Sequence, residues 1–82
     1  MKAVMQLGMR IRYLRNLRKW SQEDLALEAN VNRNYICDLE NGRRNPSLEI
    51  LERIADAFGI SLSELFLGVE TIEGFRYSTR NH

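Results

Sequence analysis

The first twenty residues carry hydrophobic side chains at the spacing of a helix. Four of them are separated by three or four residues and so share one face: Leu7, Ile11, Leu14 and Leu17. Arginines, including Arg12 and Arg15, occupy positions between them. We predict a first helix from about residue 5 to about residue 19, with its hydrophobic face turned toward the core.

A second, shorter helix is predicted to begin after Trp20. Ser21 and Asp24 match a capping box, in which each side chain accepts the backbone N–H of the other residue. Three small or apolar residues then form a narrow stripe that ends near residue 29: Leu25, Ala26 and Ala29. Asn30 tolerates the left-handed backbone conformation, so we expect the chain to turn there.

A third helix is expected directly after this turn. Asn32 is a favoured N-cap and Gly42 is a natural end. Ile36 and Leu39 occupy the inward positions. The outward face is polar and holds Arg33, Asn34, Cys37 and Asp38, with Tyr35 at its edge. Pro46 cannot lie inside a helix, so the "GRRNP" stretch is predicted to be a loop.

Two further helices are predicted in the second half of the chain. Ser47 caps the fourth helix and Gly59 ends it. Its predicted core face consists of Leu48, Leu51, Ile54, Ala55 and Phe58. The "SLSE" stretch at residues 61–64 repeats the capping-box pattern and begins a short fifth helix. Beyond residue 67 no period is clear, and Ile72, Phe75 and Tyr77 are compatible with a short strand, a packing arm or disorder.

The composition indicates one small all-α domain. A chain of 82 residues buries only roughly 60–65% of its unfolded surface, which leaves no room for a deep substrate cleft. No apolar run approaches the length of a membrane span, and no signal peptide is visible. The lone Cys37 excludes an internal disulfide, and the single histidine, His82, makes a zinc site implausible. We therefore expect a cytoplasmic protein without a metal or other cofactor.

Charge is distributed unevenly along the chain. Residues 1–46 hold nine Lys and Arg against five Asp and Glu, whereas residues 47–82 hold three against six. A basic first half and an acidic second half favour one surface for a polyanion and another surface for a different contact. A chance asymmetry on a solvated surface is the alternative for a difference of this size.

The second and third predicted helices, joined by about three residues, form a helix-turn-helix arrangement, whose second helix fits the major groove of DNA. The surrounding sequence resembles the Cro/repressor-type (XRE) helix-turn-helix family through "SQEDLA", "LENGRRNPSLEIL" and "SLSELF". This resemblance covers about residues 7–66. It implies a five-helix, phage-repressor-like domain at residues 5–67 followed by a C-terminal tail at residues 68–82. More narrowly, "RNYI" and "GRRNPSL" resemble the controller proteins of restriction–modification operons.

The resemblance implies roles for individual residues. Base contacts are implied for Arg33, Asn34 and Asp38, on a recognition helix of about residues 33–41. Phosphate contacts are implied for Gln22, Asn41 and Arg43, and position adds Tyr35, Arg44 and Asn45. Arg15 and Glu40 match a buried ion pair that ties the first helix to the recognition helix. Asn30 departs from the glycine that the family usually has.

Several of these residues admit a second interpretation. Arg33 could contact guanine or be a solvated surface arginine, and Asn34 could contact adenine or only support the start of the helix. Tyr35 could pack its ring, donate to a phosphate or sense the width of the groove. Asp38 could accept a hydrogen bond from cytosine or disfavour wrong bases. Cys37 could be a redox switch, although a small inert side chain is the simpler interpretation.

The leading functional hypothesis is a dimeric, sequence-specific regulator of transcription that binds an inverted-repeat operator in double-stranded DNA. Four hydrophobic residues exceed the needs of so small a core and are the predicted homodimer interface: Leu62, Leu65, Phe66 and Leu67. The alternative for these four is that they only cap the core. The alternative function is an antitoxin-like or scaffold protein-interaction module. An enzyme is not expected, because no nucleophile and base are paired in the sequence.

Overall fold

The computed structural model describes residues 2–69, which form five helices and, within that range, no strand. The helices are α1 (Ala3–Leu17), α2 (Gln22–Ala29), α3 (Arg33–Glu40), α4 (Leu48–Phe58) and α5 (Leu62–Leu65). The predicted all-α, five-helix fold is confirmed. Over the described range no helix is both long enough and hydrophobic enough to cross a bilayer. The three interpretations of the segment around Ile72, Phe75 and Tyr77 concern residues outside this range.

Side-chain caps set the starts of four helices where the sequence predicts them. Ser21 Oγ accepts the N–H of Asp24 at 3.0 Å, and Asp24 Oδ2 accepts the N–H of Ser21 at 2.8 Å. A second reciprocal box joins Ser61 and Glu64, where the carboxylate accepts the Ser61 N–H at 3.0 Å. Ser47 and Asn32 cap α4 and α3 with a single bond each, accepting the N–H of Ile50 and of Asn34 without a reciprocal bond. These bonds satisfy donors that a helix start otherwise leaves without partners.

One hydrophobic core joins all five helices. Its fully buried large side chains are Ile11, Leu25, Ile36, Leu39, Ile54 and Leu65. Two predicted core positions are wrong: Leu17 is 60% exposed and Leu48 is 62% exposed. Leu17 is the last residue of α1 and lies about 120° around the helix from Ile11, at 3.6 residues per turn. Leu48 is the first residue of α4, where the helix leaves an exposed loop.

α1 and α3 approach so closely that only glycine fits at their crossing. Gly8 is buried in the middle of α1, and a Cβ there would lie 2.8 Å from the backbone oxygen of Glu40. It would also collide with the backbone oxygen of Leu39. Gly8 is not among the core residues predicted from the sequence. α1 is therefore packed directly against the C-terminal turn of α3, which is the turn that positions the candidate site.

Candidate nucleic-acid interface

A three-residue turn sets the angle between α2 and α3. Asn30 adopts the left-handed conformation with φ 55°, as the sequence predicts, and its N–H donates to Leu27 O at 3.3 Å. Val31 N–H donates to Ala26 O at 2.9 Å. Asn32 Oδ1 then accepts the N–H of Asn34 at 2.7 Å and starts α3. The turn is thus closed by backbone and side-chain bonds on both sides.

The N-terminal turn of α3 presents two polar side chains to solvent. Arg33 and Asn34 are both exposed, and within residues 2–69 neither side chain is bonded to another protein group. Ile36 and Leu39, on the opposite face, are completely buried. The hydrophobic face therefore anchors the helix while its first residues stay available to a partner.

Farther along α3, three residues with predicted DNA contacts meet one another. Arg44 Nε lies 3.7 Å from Asp38 Oδ2, and the guanidinium of Arg44 lies 4.5 Å from the centre of the Tyr35 ring. The side chains of Asp38 and Arg44 are 37% and 49% exposed, so the contact is open to solvent. The carboxylate of Asp38 consequently has a cationic neighbour in the free protein.

The loop after α3 carries exposed cations and amides. Arg43 and Asn45 are exposed, and Arg43 is anchored through its backbone N–H, which donates to Asp38 O at 2.9 Å. Gly42 has φ +72° and lies against Met5 of α1. A shallow groove beside the loop is lined by Lys2, Arg43 and Arg44 among others, and no acidic residue lines it. Its charge suits a phosphate backbone.

Glu40, at the end of α3, is a buried carboxylate that accepts four hydrogen bonds. Arg15 donates to Oε2 through Nε at 2.7 Å and to Oε1 through a terminal nitrogen at 2.9 Å. Gln22 and Arg12 also donate to Oε1, at 3.1 and 3.3 Å. The side chain of Glu40 has no exposed area. The ion pair predicted from the sequence is therefore present, and it belongs to a larger cluster.

This cluster shifts the pKa values of both ionic partners. Burial by itself would raise the pKa of Glu40, but the hydrogen bonds from Arg15, Gln22 and Arg12 and the charge of Arg15 outweigh it. The net effect holds the pKa of Glu40 below its ordinary value of 4.5. The hydrogen bond with Glu40 raises the pKa of Arg15. The carboxylate is thus ionised at neutral pH and compensates the arginine charge.

Two residues with predicted phosphate contacts make bonds within the protein. The Gln22 amide donates to Glu40, and the Asn41 amide donates to Cys37 O at 2.9 Å. Arg12 of α1, for which no role was predicted, contacts both Glu40 and Asn41. Its position three residues before Arg15 was the available signal, because residues at that spacing share a helix face.

The four residues of the predicted dimer interface lie in different environments. Leu67 is 61% exposed, whereas Leu62 and Phe66 are half-buried against the core. Leu65 is completely buried in the core of this chain, so it is not available to a partner and that part of the prediction is corrected. α5 is a single turn whose inward residue packs into the core shared by the five helices.

The described residues offer no cluster of His, Cys, Asp or Glu side chains suited to a metal ion. Cys37 is half-buried, and its sulfur lies 3.7 Å from the Asn41 amide nitrogen. The polar groups on α3 and its exit loop are mainly guanidinium groups, amides and the carboxylate of Asp38, which is partly paired with Arg44. Such groups can donate hydrogen bonds to phosphate oxygens and to the edges of bases.

Two capped helices joined by a tight turn, with a polar outer face on the second, define a helix-turn-helix protein. The family profile described as "Helix-turn-helix" matches residues 11–65. The chain belongs to this family.

Its relatives include regulators and controller proteins. The chain is 46% identical over 68 residues to the immunity repressor protein of Bacillus phage phi105. These residues make up 83% of this chain and 46% of the repressor. The chain thus spans about half the length of that relative. The controller protein C.AhdI from Aeromonas hydrophila has 38% identity and a TM-score of 0.75, covering 77% of this chain and 96% of C.AhdI. The controller protein C.Esp1396I, solved as a tetramer with its natural 35 base-pair operator, has 28% identity and a TM-score of 0.75. The match covers 82% of this chain and 88% of C.Esp1396I.

Proposed function

We propose that this protein is a sequence-specific DNA-binding regulator of transcription that recognises operator half-sites as a homodimer. The observation that carries the proposal is the pair of exposed, unbonded side chains at the start of α3, Arg33 and Asn34. Arg33 has the fork of donors that matches the two acceptors of guanine, and Asn34 matches adenine. The helix that bears them is held in place by Glu40 and the buried face of Ile36 and Leu39.

Residues around α3 would hold the phosphate backbone. Arg43, Arg44 and Asn45 lie on the exit loop, and Gln22 lies at the start of α2. Because Arg44 contacts Asp38 in the free protein, DNA would compete with that carboxylate for the guanidinium. Release of Arg44 to a phosphate would free Asp38 to accept from cytosine. The role needs only binding, so we propose no catalytic function.

A homodimer would be formed through the exposed side of the α4–α5 region, with Leu67, Leu62 and Phe66 as its hydrophobic contacts. Two copies would place their recognition helices ~34 Å apart, which corresponds to half-sites separated by one turn of DNA. The operator complex of C.Esp1396I, which contains more than one copy of a protein with this fold, supports this arrangement.

The proposal is tested by selecting bound sequences from random duplex DNA and then measuring Kd for variants on the selected operator. Arg33→Ala should weaken operator binding roughly 5- to 150-fold, equivalent to about 1–3 kcal/mol, and relax the base preference at one position of each half-site. Arg53→Ala is the matched control, because Arg53 is 43% exposed on α4, where it pairs with Glu49. Its bond to the Asn30 carbonyl is long, at 3.4 Å, and thermal unfolding of this variant checks that the turn is retained. A selection that enriches no sequence, or an Arg33→Ala variant that binds the operator as tightly as the parent, contradicts the proposal.

A further inference from the structure

The side chain of Asn41, a predicted phosphate contact, is already occupied within the protein. Its Nδ2 donates to Cys37 O at 2.9 Å and lies 3.7 Å from the sulfur of Cys37. Its Oδ1 accepts from a terminal nitrogen of Arg12 at 3.5 Å. The amide is thus directed along the last turn of α3, with its oxygen toward α1.

Arg12 brings to the same place a positive charge that no carboxylate fully compensates. Its bond to Glu40 Oε1, at 3.3 Å, is the longest of the three on that oxygen, and Arg15 makes two shorter bonds to the same carboxylate. The Arg12 side chain is 48% exposed, against 13% for Arg15. One carboxylate therefore faces two guanidinium groups, and the excess positive charge lies on the exposed one.

We propose that Arg12 is a phosphate contact of this protein and that Asn41 is the residue that positions it. The proposal rests on the proposed DNA-binding function. A guanidinium has five N–H donors, and the contacts to Glu40 and Asn41 occupy two of them. The remaining donors, on an exposed planar fork, match the oxygens of a phosphate group.

The location of Arg12 supports this role. Arg12 and Gln22 donate to the same oxygen of Glu40, and Arg12 also contacts Asn41. Gln22 and Asn41 are positions at which the family resemblance implies phosphate contacts. Arg12 therefore lies beside both of these residues, and its orientation is fixed by two acceptors before DNA arrives. A contact that is already oriented loses little side-chain entropy on binding.

The test is the dependence of Kd on salt concentration, measured on the selected operator and on unrelated duplex DNA. Arg12→Gln should reduce the slope of log K against log salt by about 0.9 on both DNAs, because one phosphate is no longer neutralised. Arg53→Gln, which removes a similarly exposed arginine from α4, should leave the slope unchanged. Asn41→Ala should weaken binding in the parent but have no further effect in the Arg12→Gln background.

Thermal unfolding of each variant separates loss of folding from loss of a contact. If Arg12→Gln does not fold, Arg12→Lys is the deciding variant: it should retain the slope and bind several-fold more weakly, since an ammonium lacks the planar fork. Equal affinity of Arg12→Lys and the parent would overturn the inference. An unchanged slope for folded Arg12→Gln, together with a reduced slope for Arg43→Ala, would overturn it and leave the proposed function intact. If neither variant changes the slope and no sequence is selected, both proposals are wrong.

Discussion

Replacing Glu40 by glutamine tests whether the buried carboxylate holds the recognition helix on the rest of the domain. The glutamine has almost the same shape, but it removes the negative charge and turns one acceptor oxygen into a donor group. Glu40 accepts four bonds, from Arg15, Gln22 and Arg12. In the variant, donors would face donors, and the guanidinium of Arg15, only 13% exposed, would lose its counter-charge.

The size of the effect follows from this burial. Removing one partner of a buried ion pair costs about 3–5 kcal/mol, because the other charge remains in a poorly solvated position. A domain of this length has a total stability of only about 4–12 kcal/mol. A loss of ~3 kcal/mol should therefore lower Tm by roughly 12–24 °C. We expect Glu40→Gln to be marginally folded at 37 °C.

Urea unfolding followed by circular dichroism at pH 7 measures the change in the free energy of unfolding. Glu49→Gln is the control, since Glu49 is 71% exposed and lies 3.5 Å from Arg53 in an i,i+4 pair. Such a pair contributes about 0.3–0.5 kcal/mol. A Glu40→Gln variant within ~1 kcal/mol of the parent would refute the assignment of Glu40 as the anchor of α3. The same holds if the two glutamine variants lose equal stability.

Two further predictions concern the same helix crossing. Gly8→Ala should reduce the free energy of unfolding by about 1–3 kcal/mol, because the new Cβ would lie 2.8 Å from the backbone oxygen of Glu40. An unchanged midpoint of urea unfolding would contradict this prediction and show that α1 can move away from α3. The free energy of unfolding should be nearly constant from pH 7 to 5 and fall as the pH drops below about 4.5. The folded state lowers the pKa of Glu40, so the ionised carboxylate stabilises the fold at pH values above its ordinary pKa, and this stabilisation is lost as the carboxylate is protonated. In Glu40→Gln this acid-sensitive contribution should be absent, so its unfolding free energy should converge on that of the parent at low pH; curves that stay parallel down to pH 3 would contradict the pKa direction.

Local signals in the sequence were sufficient to predict the order of the helices. The starts of α2 and α5 follow from the capping boxes of Ser21 and Ser61, and the end of α2 follows from Asn30. These features depend on bonds between residues at most five positions apart, which the sequence displays directly. Periodicity failed at Leu17 and Leu48, because helix ends extend beyond the elements that pack on them.

Contacts between distant segments were harder to predict. The pairing of Arg15 with Glu40 was expected only through the family resemblance. The spacing of Arg12 and Arg15 places both on one face of α1, but nothing local indicates that Gln22 shares their acceptor. Which side chains from α1, α2 and α3 converge depends on the crossing angles of the helices, which periodicity does not specify. Gly8 carried a usable signal, because a glycine inside a strong helical pattern often marks a close approach.

The cluster around Glu40 also determines how far the recognition helix can be transplanted. α3 has no basic residue in its last turn, and it ends in an acid where the helix dipole is already negative. The compensating cations belong to α1 and are separated from Glu40 by 25 and 28 positions. An α3 grafted onto another scaffold would therefore need matching arginines from its new first helix. Residues 33 and 34 are exposed and make no contact with this cluster, so substitutions there should change the base preference that we propose for them while the fold is retained.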